Sequence, residues 1–277
     1  MKKLLLTLVA LTVAIFVNAQ ADGKFYTHQM KGYTLHIYSH DGKQGDQSFI
    51  IEGPTSLVAI EVPLTKPYGE KFENYMKGLN KPVVATITDY DIGGYFGGDV
   101  ILVEGMKELM ARMNMIQRYK DNYGDKLMDL SKWDNAEEVK FGTVKTWDGI
   151  TYRFDKGPAG FFQASTLVIG GQVGVLHSDP SSGHINAREA QNADAISQAI
   201  ANDEGLLKSG AKYFVSDHGN GLVSKSAVKN HIKYLKKVKA IQAKAKTADE
   251  FVAAMKKAFP GRAGEDGLAQ VAANLYK

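Results

Sequence analysis

A run of β-type residues, Val83 to Ile87, leads directly into Thr88-Asp89-Tyr90-Asp91-Ile92-Gly93-Gly94-Tyr95-Phe96-Gly97-Gly98-Asp99. A strand that ends in an acidic, glycine-rich turn is where α/β enzymes place their chemistry, at the carboxyl ends of strands. A second β run follows over Asp99 to Val103, and then Met106, Met110 and Met113 recur at helical spacing. That spacing predicts a core-facing helix over Gly105 to Tyr119.

The same grammar extends in both directions. Ser48 to Glu52 and Ser56 to Val62 are short β runs joined by Gly53-Pro54, which predicts a hairpin ending near Glu61 and Pro63. Downstream, Val168 to Asp179 reads as a β run ending on His177 and Asp179, and Ala211 to Gly221 places His218 just past a strand. Helices are expected over Tyr68 to Leu79, Ala187 to Ser209 and Lys225 to Lys246. A further helix should begin at Thr247, whose hydroxyl and Glu250 form a capping-box pattern, and stop before Pro260-Gly261. The stretch Asp121 to Asn135, with Tyr123 and Trp133, reads as a loop with aromatic surface that covers a cleft.

In this order and spacing, from about Ser48 to about Ala258, the chain resembles the metallo-β-lactamase fold superfamily. The resemblance implies an α/β protein built as a four-layer αββα sandwich. It also exposes departures at the sites where that family holds its metals. Glu61 stands at the position of the structural aspartate. In Thr88-Asp89-Tyr90-Asp91-Ile92-Gly93-Gly94, Asp89 and Asp91 replace the first-site histidines, and Gly93 and Gly94 replace the second-site Asp-His pair. The segment Gly157 to Ser165, where a further histidine belongs, has none. Asp179 matches the bridging aspartate and His218 the last histidine.

The family implies hydrolysis of ester, thioester, lactam or phosphoester bonds by a metal-activated hydroxide. Asp179 and His218 are the candidate catalytic residues on that basis. A dizinc site cannot be assembled from what remains. Asp89, Asp91, Asp179 and His218 would converge in the implied fold, and three carboxylates with one imidazole suit one divalent ion, Mn²⁺, Mg²⁺ or Ca²⁺ more than Zn²⁺. Three readings stand open: a single-metal hydrolase, a catalytically silent relative, and a non-catalytic binding or interaction protein of the cell envelope. The last would use the same cleft for a small-molecule ligand or an envelope partner.

Other patterns are structural. The glycines Gly93, Gly94, Gly97 and Gly98 lack the lysine and hydroxyl of a phosphate-binding loop, so they read as loop permissiveness. His36 and His40 share one face of an alternating run, read as an exposed strand face. The chain has no cysteine and no G-x-S-x-G elbow, which excludes a thiolate and leaves Ser178 and Ser216 as turn residues.

Lys2 and Lys3 precede the apolar run Leu4 to Val17 and the small residues of Asn18 to Ala21, the pattern of a secretory leader over residues 1–21. The apolar run falls short of the ~20 residues a membrane span needs. Residues 22–277 are expected to form a single domain, periplasmic or secreted and without a transmembrane span. Of 34 basic residues two lie in the leader, against 30 acidic ones, so the overall balance gives no reason to invoke nucleic acid. The lysines of Lys225 to Lys246 are read as a solvated face opposite the apolar stripe Val228, Ile232, Leu235, Val238 and Ile241.

Overall fold

The computed structural model describes residues 23–41, 46–89, 92–159, 163–178, 183–187, 190–219 and 221–277. The leader and two candidate ligands, Asp91 and Asp179, lie outside the described residues.

Alternating apolar positions build the first half of the sheet. In β2 (Thr34–Asp41) and β3 (Asp46–Glu52), Leu35 pairs with Ile51 and Ile37 with Phe49, all fully buried. β1 (Lys24–Gln29) lies antiparallel on β2, and the predicted hairpin joins β3 to β4 (Leu57–Ile60). Helix α1 (Lys66–Gly78) then crosses to β5 (Val83–Thr88), which runs parallel to β4. β6 (Asp99–Val103) and β7 (Glu137–Val139) extend the parallel row.

The second half is a meander, β8 (Val144–Trp147), β9 (Ile150–Ala159), β10 (Gln163–Ile169) and β11 (Val173–Ser178), continued by β12 (Tyr213–His218) parallel to β11 and the short β13 (Val223–Ser224). β3 and β12 join the halves at the register pair Asp46–His218, so the sheet is continuous and curls on itself.

Burial explains the layering. The inner faces share one core, with Phe49, Ile60 and Ile87 from the first half against Tyr152, Phe154 and Val175 from the second. Outside the first half, α1, α2 (Met106–Arg112) and α3 (Met115–Tyr123) cover Ile50, Leu57 and Leu102. Outside the second, α4 (Ala195–Lys208) and α5 (Lys225–Gln242) cover Val168, Leu176 and Phe214. Helices α6 (Ala248–Ala258) and α7 (Leu268–Leu275) pack against α5. The result is the four-layer αββα sandwich. Among the described residues no helix is long and apolar enough to cross a membrane.

Several boundaries differ from the sequence reading, each for a local reason. The helix expected over Gly105 to Tyr119 breaks at Asn114, whose φ of 45° is left-handed, a conformation asparagine tolerates better than most residues. The helix expected from Ala187 starts at Ala195, because Asn192 Oδ1 accepts from Asp194 N (2.9 Å) and holds a turn there. The helix expected to reach Lys246 ends at Gln242. Val168 to Asp179 is not one strand: Gly170 and Gly171 adopt φ of 55° and 64° and turn the chain from β10 into β11. His218 is the last residue of β12 rather than beyond it.

Trp133 is buried, not surface, while Tyr123 is exposed at the end of α3. His36, expected on an exposed face, is 3% exposed because β1 and α1 cover it. Its ring lies 2.9 Å from the Tyr75 hydroxyl and 3.0 Å from Glu52 Oε2, and burial holds its pKa below the ordinary range. At Thr247 the cap forms, with the return bond one residue early: its Oγ1 accepts from Glu250 N (3.2 Å), and Glu250 Oε2 accepts from Lys246 N (2.7 Å) rather than from Thr247 N.

Candidate functional site: a buried carboxyl cluster at the strand ends

Glu61 immediately follows β4 with φ of 48°, a left-handed conformation that costs a side-chain-bearing residue energy and needs local compensation. The compensation is visible. Glu61 N donates to Ile87 O (3.0 Å), Glu61 Oε1 accepts from Asp89 N (2.7 Å), and Glu61 Oε2 accepts from Thr88 Oγ1 (3.0 Å). One carboxyl thus ties the exits of β4 and β5 together. Asp89 in turn accepts from Ser165 Oγ at Oδ2 (2.9 Å), and Ser165 belongs to β10, so this bond links the two halves of the sandwich.

Glu61, Asp89 and Asp217 are all buried, and the charges of the latter two act on the Glu61 carboxyl. Desolvation first, then those neighbours, push its pKa well above the usual carboxylate range. A side-chain hydrogen bond joins Glu61 to Asp89 and further favours the neutral form of Glu61. His218 sits beside this pair, between two acids. Its Nδ1 is 2.9 Å from Asp46 Oδ1 and its Nε2 is 3.9 Å from Asp217 Oδ2, while its backbone N donates to Ser216 Oγ (3.1 Å).

The positions of the lost second-site pair are filled by main chain. Gly94 N donates to Pro63 O (2.9 Å), and Trp133 Nε1 donates to Gly93 O (2.6 Å). A Cβ at Gly93 would collide with the Val62 carbonyl, and one at Gly94 would lie 2.6 Å from the Met128 methyl. Glycine is required at Gly93 by close backbone approach, and no side-chain ligand fits there.

Of the candidate residues, the structure places Asp89 with Glu61 and Ser165, and His218 with Asp46 and Asp217. Glu61 feels both Asp89 and Asp217, so the two groups adjoin. Sequence reasoning passed over Ser165 and Asp46 as partners. Ser165 had a signal, since it ends the segment where the family's third histidine belongs. Asp46 had none.

Among the described residues, no group of three His, Asp or Glu side chains is arranged to hold a metal ion. Glu61 itself is a poor donor to a metal. Its two oxygens already accept from Asp89 N and Thr88 Oγ1, which leaves little of the carboxyl open to a cation.

No family model and no curated protein matches the chain. Solved structures do. A metallo-beta-lactamase family protein from Thermus thermophilus aligns over 89% of this chain and 93% of its own, at 15% identity and TM-score 0.56. An archaeal metallo-beta-lactamase superfamily protein from Sulfolobus tokodaii aligns over 72% of this chain and 85% of its own, at 14% identity and TM-score 0.51. The chain has the metallo-β-lactamase fold. A stereoselective inverting sec-alkylsulfatase from Pseudomonas sp. shares that fold over 92% of this chain, at 16% identity and TM-score 0.58, and the chain spans 50% of that enzyme's length. At these identities the metallo-β-lactamase fold is what is shared, and the chemistry of this chain is argued from its own residues.

Proposed function

We propose that this is an exported, catalytically silent metallo-β-lactamase-fold protein that uses the strand-end cleft to bind a small molecule or an envelope partner. The observation that carries this reading is the Glu61–Asp89–Ser165 arrangement. Where a metal centre would need carboxyl oxygens open to an ion, both Glu61 oxygens accept, from Asp89 N and Thr88 Oγ1, and Asp89 Oδ2 accepts from Ser165 Oγ. The leader pattern over residues 1–21 supports export, and N-terminal sequencing of the exported protein tests it, with cleavage after Ala19 or Ala21 expected.

A second reading has its own observation. Asp89 and His218 stand at the ends of β5 and β12 beside Glu61 and Asp217, so with Asp91 and Asp179 they would form a single-metal hydrolase site. Calorimetric titration of the mature protein with Mn²⁺, Mg²⁺, Ca²⁺ and Zn²⁺ decides between the two. The silent reading expects no stoichiometric binding and an unchanged melting temperature in chelator. One tightly bound ion, lost in Asp89→Asn, together with hydrolysis of a nitrophenyl ester or phosphate, would establish the metal-dependent enzyme instead.

A further inference from the structure

The positive charge of the chain is concentrated in one place. From Lys225 to Lys246 there are eight lysines and no acidic residue, leaving 26 of the 34 basic residues against 30 acidic ones elsewhere. The net charge of +4 is therefore +8 in this segment and −4 in the rest. A charge so unequally divided steers and holds an oppositely charged partner.

Helix α5 turns these lysines outward. On its buried side, Val228 and Ile232 pack on the outer face of the sheet, and Leu235 and Val238 on α6 and α7. The opposite side carries Lys229, Lys233, Lys236 and Lys237, all exposed, and its other positions hold serine, asparagine and alanine. From Lys229 to Lys237 the helix rises about 12 Å, so four ammonium groups stand within that length.

Neighbouring acids do not neutralise them. The two acids of α4 are already committed: Asp203 is buried with its Oδ2 2.8 Å from His231 Nδ1, and Glu204 accepts from Lys236 Nζ (2.8 Å). Lys208, exposed on α4, lies close enough for its charge to act on the same Glu204, so the patch widens across two helices. Lys208, Lys229, Lys233 and Lys237 form no ion pair among the described residues. With no aromatic or large apolar side chain on its outward side, α5 cannot sink into acyl chains. What it can bind is charge, and a patch spread over two helices matches a plane of phosphates better than a single polymer strand.

We propose that the outward face of α5, with Lys208 of α4, adsorbs the protein by charge alone to an anionic phospholipid surface. Clusters of four to eight lysines on a helix suit such a surface, and each lysine held near it strengthens binding about fivefold. The face shares no residue with the carboxyl cluster, so this proposal and the metal titration fail independently.

The test sediments the full mature protein with vesicles of equal parts phosphatidylglycerol and phosphatidylcholine, and with vesicles of phosphatidylcholine alone. At low salt, binding is expected to the first and not to the second, and it should be reversed near about 1 M salt, where charges are screened beyond ~3 Å. Combining Lys229→Gln, Lys233→Gln, Lys236→Gln and Lys237→Gln should weaken binding about a hundredfold or more. The melting temperature should be unchanged, because glutamine and lysine are similar helix formers. A control that removes the same charge from exposed positions outside the patch, Lys107→Gln, Lys120→Gln, Lys126→Gln and Lys132→Gln, should weaken it less than about tenfold. Parent protein that stays in the supernatant would overturn the proposal. So would equal losses in the two variants, binding that survives high salt, or retention by heparin that depends on the α5 lysines while vesicles leave the protein in solution.

Discussion

Replacing Glu61 by glutamine separates the two roles of its carboxyl, accepting hydrogen bonds and keeping a proton. The amide is the same shape and its oxygen can still accept from Asp89 N, while its NH₂ takes the place of Oε2, so the Thr88 hydroxyl must turn to accept there, a cost that is the same at every pH. The direction of the pH effect follows from the raised pKa. Unfolded, this group releases its proton near 4.5; folded, desolvation and the charges of Asp89 and Asp217 hold the proton well above that. The stability it contributes is therefore complete below pH 4.5 and is lost as pH rises toward the folded value, by up to about 1.4 kcal/mol per pH unit. Glutamine has no such slope. Urea unfolding of parent and Glu61→Gln at pH 5, 6 and 7 should show the variant gaining on the parent at each step. Glu61→Ala is the control for hydrogen bonding: it strands Asp89 N and the Thr88 hydroxyl at about 1–3 kcal/mol each, a loss of about 2–6 kcal/mol. A stability difference between parent and Glu61→Gln that stays constant with pH would refute the reasoning, because it would mean that Glu61 is ionised in the fold.

Trp133→Phe strips the donor from Gly93 O and leaves a void where part of the buried indole was, and should cost at least about 1–3 kcal/mol in chemical denaturation. Gly93→Ala drives a methyl into the Val62 carbonyl and should cost at least about 1–3 kcal/mol, read as a lowered melting temperature by circular dichroism; an unchanged melt would show that the loop can shift freely. His36 is buried with a lowered pKa, so its contribution is present above 6.5 and lost as pH falls through its folded value; His36→Gln should flatten the acid side of the stability profile, and superimposable profiles would count against this. Thr247→Ala removes the α6 cap for a loss of about 1 kcal/mol by the same urea assay.

Patterns that repeat along the chain were legible, and contacts across it were not. The β3–β4 hairpin, β5, β6, the apolar stripe of α5 and the cap at Thr247 all follow from periodicity or short-range turn chemistry. Asn114 and the Gly170–Gly171 turn were missed because a left-handed residue inside an apolar run leaves the hydrophobic pattern intact. The burial of His36 depends on β1 and α1 closing over it, which no local window reports. At the strand ends, Asp89 and His218 stood out by position, yet their partners Ser165 and Asp46 are 76 and 172 residues away along the chain. Such pairings are made by the fold and are invisible to spacing.

The seam at Asp46 and His218 has a consequence for motion. Each half of the sheet closes most of its backbone ladder internally, and the β3–β12 junction among the described residues is a single register pair backed by the His218–Asp46 side-chain contact. The halves are therefore held together chiefly by their shared inner core and the Ser165–Asp89 bond, and the seam is the line along which backbone pairing opens most easily. Amide hydrogens flanking that line should exchange with solvent faster than those in the middle of β2, β3 or β10. The carboxyl cluster therefore lies beside the thinnest stretch of backbone pairing in the sheet, and a molecule gripping both halves would announce itself by slowing exchange there before changing anything else.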